Sequence, residues 1–203
     1  MRAGNLAIET EWRSPPEAIS EAERAERDIL AWMEEVSAPD PALLAIAFGA
    51  IVRTPGGAIP LRELRPGDQV DTLDDGPLRI LAIEKIAPPN EPPVVLNIGA
   101  FGAENRAIFG PKRRLYYRGG VADLWFGAPE VLVEAAHLPC FAGATRGEWP
   151  PERDVFALEM EAPALIWIDG VLTETGPAPV FAASRPVLKP MEAAALLSYA
   201  RRC

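Results

Sequence analysis

AFGAIVRTPGGAIPLRELRPGDQVDTLDDGPLRILAI, residues 47–83, decides how the rest of the chain is read. Thr54-Pro55-Gly56-Gly57 and Arg65-Pro66-Gly67-Asp68 are turn signals, because Pro presets one backbone angle and Gly accepts the positive φ that tight turns need. Residues 69–73 and 78–86 contain β-branched residues and read as strands, and Asp74-Asp75-Gly76 between them is a hairpin turn. Strands this short, separated by turns this tight, belong to a β protein.

Working outward, the same pattern continues towards the C-terminus. Residues 94–98, 107–109, 114–118, 131–134, 155–159 and 165–168 read as further short strands. The chain holds 22 Pro, which breaks helices and is excluded from central strands, so many loops and short elements are expected. An all-β domain is expected over residues 45–188, followed by a C-terminal helical segment, 189–203. Pro190 opens that helix, with Ala193, Leu196, Leu197 and Ala200 on its buried side.

Upstream the pattern changes. Ser14 is placed to cap a helix, Pro15 suits its first turn and Glu17 completes a capping box. Ile19, Ala22, Ile29, Met33 and Val36 then form an apolar stripe with helical spacing, and Asp40-Pro41 ends it. Residues 1–44 therefore read as an N-terminal helical arm.

Composition excludes several functions. The formal net charge is −9, which on average repels a polyanion, so no nucleic-acid partner is expected. Two Cys and one His do not assemble a typical zinc site or a disulfide framework in one copy, and neither metal nor cofactor is expected. No apolar run approaches the length of a membrane span, and the first residues lack the long apolar stretch of a secretory signal. The cytoplasm is the expected compartment.

Four segments, in order, resemble a known family. TPGGAIPLRELRPGDQVDTLDDG (54–76), AIFGPKRRLYYRGG (107–120), ADLWFGAPEVLVEAAHL (122–138) and VFALEMEAPALIWIDGVLTET (155–175) are similar to the bacterial, standalone type of Hint domain, the fold of hedgehog autoprocessing domains and inteins. The likeness covers roughly residues 45–180. It implies a Hint-type β fold and, in active members, an acyl shift. A Cys, Ser or Thr at the start of the domain attacks the preceding peptide carbonyl, and a His protonates the departing amide nitrogen.

The positions that the resemblance assigns to this chemistry hold other residues. An ungapped register puts Ala45 at the nucleophile, and a register with a short deletion puts Ala47 there. The family His falls on Arg113, the neighbouring Asp on Lys112 and the Ser on Gly110. A His of the closing hairpin falls on Pro163 or a neighbour. A methyl group cannot attack a carbonyl, and a guanidinium holds its proton far above neutral pH. None of the four Asn residues lies near the C-terminus, so splicing by terminal Asn cyclisation is not expected either.

The expectation is a catalytically silent Hint-fold protein that binds or assembles with a protein partner, its arm permanently attached. Trp32 on the arm, Arg113 and Arg114 are candidate partner contacts. Two alternatives stand beside it. One is self-cleavage with a non-standard nucleophile such as Cys140; the other is a structural subunit of a larger, phage-like assembly. Other conspicuous residues have ordinary readings. His137 reads as a hydrogen-bonded structural residue, Cys140 as a small buried hydrophobe and Cys203 as a terminal thiol. The run Lys112-Arg113-Arg114 with Tyr116 and Tyr117 reads as a solvated strand edge. Asp68, Asp71, Asp74 and Asp75 lack the spacing of an EF-hand calcium loop and read as turn caps, and Trp125 and Phe126 as core or a surface anchor.

Overall fold

A computed structural model describes residues 45–47, 49–141, 143–150, 155–176 and 182–200. The helical arm, with Trp32, and the terminal Cys203 lie outside the described residues. Within them the molecule is built from short strands, as the turn spacing requires. In chain order these are β1 (Ile46–Ala47), β2 (Ile51–Thr54), β3 (Gly57–Pro60), β4 (Gln69–Asp71), β5 (Pro77–Ile86), β6 (Val94–Leu96) and β7 (Ala107–Phe109). After them come β8 (Arg114–Arg118), β9 (Glu130–Glu134), β10 (Ala144–Arg146), β11 (Val155–Met160), β12 (Ala164–Ile168) and β13 (Val171–Thr175). Two helices complete the set, α1 (Gly120–Phe126) and α2 (Pro190–Ala200).

The strands form a seven-stranded sheet, ordered β10-β6-β7-β1-β11-β5-β4, and a six-stranded sheet, ordered β3-β2-β12-β13-β8-β9. The named strand pairs are antiparallel, so tight turns suffice to join neighbours. One buried cluster takes Ile46, Leu96 and Phe109 from the first sheet and Val52, Leu115, Ile166 and Val171 from the second. The two-residue strand β1 is central in the first sheet. Ile46 faces Phe156 on one side and Phe109 on the other.

The turn chemistry explains the hairpins. In the β4–β5 turn Gly76 has φ 71°, and its carbonyl accepts both the Thr72 amide and the Thr72 hydroxyl. At the tip of the β12–β13 hairpin both Asp169 (φ 53°) and Gly170 (φ 85°) are left-handed, the conformation of a two-residue primed turn. The Asp169 N–H donates to the Ile51 carbonyl, and the Asp169 carbonyl accepts the Glu104 N–H. A Cβ on Gly170 would lie 2.6 Å from Glu104 Cγ, so close approach as well as φ requires glycine there.

Helix α1 was absent from the strand pattern. Gly127 ends it in the left-handed conformation, its N–H bonded to the Asp123 carbonyl. Helix α2 starts at Pro190 as expected. The Glu192 carboxylate reaches back 2.8 Å to the Lys189 N–H, and Ala193, Leu196 and Leu197 are buried. Among the described residues, no helix is long and apolar enough to cross a membrane.

Candidate functional site

The first strand and the turn after β7 meet at the site. Ala45 is completely buried, and its carbonyl accepts the Gly110 N–H at 2.8 Å. The turn Gly110-Pro111-Lys112-Arg113 closes on itself through the Arg113 N–H and the Gly110 carbonyl. On its other side the carbonyls of Pro111 and Arg113 accept the N–H groups of Ala136 and Ala135, which begin the 3₁₀ stretch Ala135–Cys140. The turn is therefore clamped between the first strand and that stretch. Ala45, Gly110 and Arg113, separate in sequence, are brought together.

Ala47 stands elsewhere. It packs with Val95, Ile108 and Trp149 in a small cluster apart from the main core. Pro163 lies in the connection between β11 and β12.

Arg113 is the largest surprise. Its side chain is 2 % exposed, so it is neither a surface contact nor part of a solvated edge. Strand β8 is an interior strand, between β13 and β9, which is why the edge reading fails. The Arg113 Nε donates to Thr173 Oγ1 at 2.7 Å, and that hydroxyl donates to the Arg114 carbonyl at 2.9 Å. Burial pushes the Arg113 guanidinium down to about 10, and the negative Glu174 works against that fall. It remains protonated at neutral pH, so it is a fixed cation and a poor proton donor.

Glu174 is a buried carboxylate with partners on both oxygens. Oε2 accepts Arg114 Nη1 at 2.9 Å, while Oε1 accepts the Ser184 N–H at 2.5 Å and the Ser184 hydroxyl at 2.7 Å. Arg114, a candidate partner contact, is thus half-buried and committed to an internal ion pair. Lys112 points outward and pairs with Glu134 at 3.1 Å. His137 Nε2 lies 3.9 Å from the same Glu134 carboxylate. Cys140 ends the 3₁₀ stretch.

Sequence reasoning missed Thr173, Glu174 and Asp169. A signal for the first two was present: Thr-Glu-Thr inside a strand that is otherwise core. Polar side chains buried in a central strand must find partners, so such a triplet marks a polar network. Asp169 is 4 % exposed, and its Oδ1 accepts the Ile51 N–H at 3.0 Å. Burial pushes its carboxyl up to about 6, partly offset by that hydrogen bond.

The other conspicuous residues are structural here. Asp68 caps its turn by accepting the Arg65 N–H at 2.8 Å. Asp74, read as a turn cap, instead binds Arg185 Nη2 through both oxygens, at 2.8 and 2.9 Å. Trp125 is half-exposed and stacks edge-on with Tyr199 of α2, ring centres 5.5 Å apart. Among the described residues, no group of three or more His, Cys, Asp or Glu is arranged to hold a metal ion.

The model of the Hint domain family matches residues 44–177. A crystal structure of the MchDnaB-1 intein is similar at 14 % identity and TM-score 0.41, covering 64 % of this chain and 98 % of that one. A variant of the same intein is similar at 13 % identity and TM-score 0.40, covering 64 % and 99 %. No curated protein matches the chain.

Proposed function

The chain belongs to the Hint domain family, and from that premise we propose that it is a catalytically silent member working as a protein-binding or assembly module. The observation that carries this reading is the buried Arg113 guanidinium, tied to Thr173 beside the turn that grips Ala45. An acyl shift needs a side-chain oxygen or sulfur on the first residue and a group that gives a proton to the leaving amide. Alanine supplies no lone pair. Arg113, even at about 10, holds its proton at working pH. Loss of both groups removes many powers of ten in rate.

Without cleavage, residues 1–44 stay joined to the β domain, and the proposed role becomes that of a connector. The partner proposed is another protein and the compartment proposed is the cytoplasm, on the acidic net charge and the absence of long apolar runs. Incubation with thiol or hydroxylamine, followed by intact-mass measurement, tests the silence. The chain is expected to remain at 21.9 kDa. A fragment beginning near residue 45 or 47 would overturn the reading. Alanine at Cys140 in that same experiment then tells whether Cys140 is the nucleophile.

A further inference from the structure

Residues 182–188 follow the part of the chain that matches the family, which ends at residue 177. They run beside β9, the last strand of the six-stranded sheet. Leu132 in β9 donates its N–H to the Pro186 carbonyl at 2.8 Å, and its own carbonyl accepts the Leu188 N–H at 2.9 Å. Val187 bridges Leu132 in the parallel sense. This is strand addition to a sheet edge, the backbone geometry by which extended peptides are recognised.

The side chains make the edge selective. Three carboxylates from three elements converge on two consecutive residues. Glu174 of β13 accepts the Ser184 N–H and hydroxyl. Glu130 of β9 accepts Arg185 Nε at 2.7 Å, and Asp74 of the β4–β5 turn takes Arg185 Nη2 through both oxygens. A guanidinium fork satisfies two carboxylates in this way, which an ammonium does not. Pro186 follows, contributing only its carbonyl, as the pairing requires, and Leu188 is buried in the core. The edge therefore specifies an order: a hydrogen-bond donor, an arginine, a residue that needs no N–H, and an apolar anchor.

We infer that the β9 edge with Asp74, Glu130 and Glu174 is a strand-acceptor site for an extended, arginine-bearing segment, closed here by residues 184–188 and equally suited to the same segment of a second copy. The occupant follows from the fit, since this chain's own segment is the one whose donors and carbonyls match the socket. The inference does not depend on whether the domain cleaves itself.

The test uses the full-length chain carrying Arg185→Ala and a fluorescent peptide of residues 182–190. The wild-type chain holds its own segment at high effective concentration and excludes the peptide. The variant is expected to bind it at least about tenfold more tightly than wild type, and a peptide with Arg185→Ala is expected to bind about tenfold more weakly, as loss of charged hydrogen bonds requires. A folded variant that binds no better than wild type, or binds both peptides alike, overturns the inference. A second arm mixes full-length Glu130→Arg with full-length Arg185→Glu. Exchange restores an opposite-charge contact at one socket while the other regains its native pair. Light scattering should show a mixed dimer that neither variant forms alone, and two unchanged monomers would count against the site.

Discussion

Arg113 and Arg185 both lie within reach of carboxylate charge, and they behave in opposite ways. Arg113 is enclosed, bonded to a neutral hydroxyl, with Glu174 acting on it through space. Burial dominates, and its pKa falls to about 10. Arg185 keeps about a quarter of its side chain in water and lies directly on Glu130 and Asp74. Its bond to Glu130 dominates, and its pKa rises. Glu130 responds in the reciprocal sense, held below the usual carboxylate range chiefly by Arg185. The lesson is that a charged residue fastens a structure where its partner is in contact and solvent still reaches it. Enclosed, the same residue carries a desolvation cost that only its whole surroundings offset.

The largest expected effect is at the enclosed cation. Arg113→Ala removes the donor to the Thr173 hydroxyl, leaves a cavity and deprives Glu174 of a nearby positive charge. A loss of about 3 kcal/mol or more is expected, since breaking a buried charge arrangement by removing one member typically costs that much. Urea unfolding measures it, and a loss below about 1 kcal/mol would show that the interior relaxes around the gap.

Asp169 extends the comparison to a buried anion. The Glu104 N–H donates to its backbone carbonyl, and the Ile51 N–H to its carboxylate. Its folded pKa, about 6, lies above the ordinary 3.8, so between those values the folded chain holds the proton more tightly than the unfolded chain. Stability therefore falls as pH rises through that window, and the cost is complete above about pH 6. Asp169→Asn keeps an acceptor for Ile51 N–H and tolerates positive φ. At pH 7.5 it should stabilise the chain by up to about 3 kcal/mol and remove this contribution to the pH dependence of melting. Equal melting shifts for both chains between pH 5 and 7.5 would contradict the assignment.

The smallest effect belongs to the surface clamp. Arg185→Ala is expected to cost about 1.5 kcal/mol, the low end for charged hydrogen bonds, because screening by water discounts even well-formed pairs. Its more telling consequence is local. The amides of Leu188 and of β9 next to it should exchange faster while the core stays protected, and added salt should narrow the difference from wild type.

Much of the β architecture was legible. Turn residues such as Asp74-Asp75-Gly76 and Arg65-Pro66-Gly67-Asp68 act locally, so their meaning survives without knowledge of the fold. The start of α2 was legible for the same reason, in Pro190 and its apolar spacing. Helix α1 was not, because GVADLWF is short and about two helical turns leave too little periodicity to read. The basic run 112–114 misled because adjacent residues in and beside a strand have different fates. Lys112 faces solvent, Arg113 the interior and Arg114 an internal carboxylate.

What the sequence by itself determined was the family, the all-β class and the residues standing at the site: alanine on the first strand and arginine after β7. These follow from residue identity and short-range order alone. The tertiary structure decided that Ala45 rather than Ala47 meets the Gly110–Arg113 turn, that Arg113 is enclosed with Thr173 and Glu174, and that residues 184–188 close the β9 edge. Each is a contact between distant parts of the chain, set by which strands lie side by side, and no local pattern carries that information.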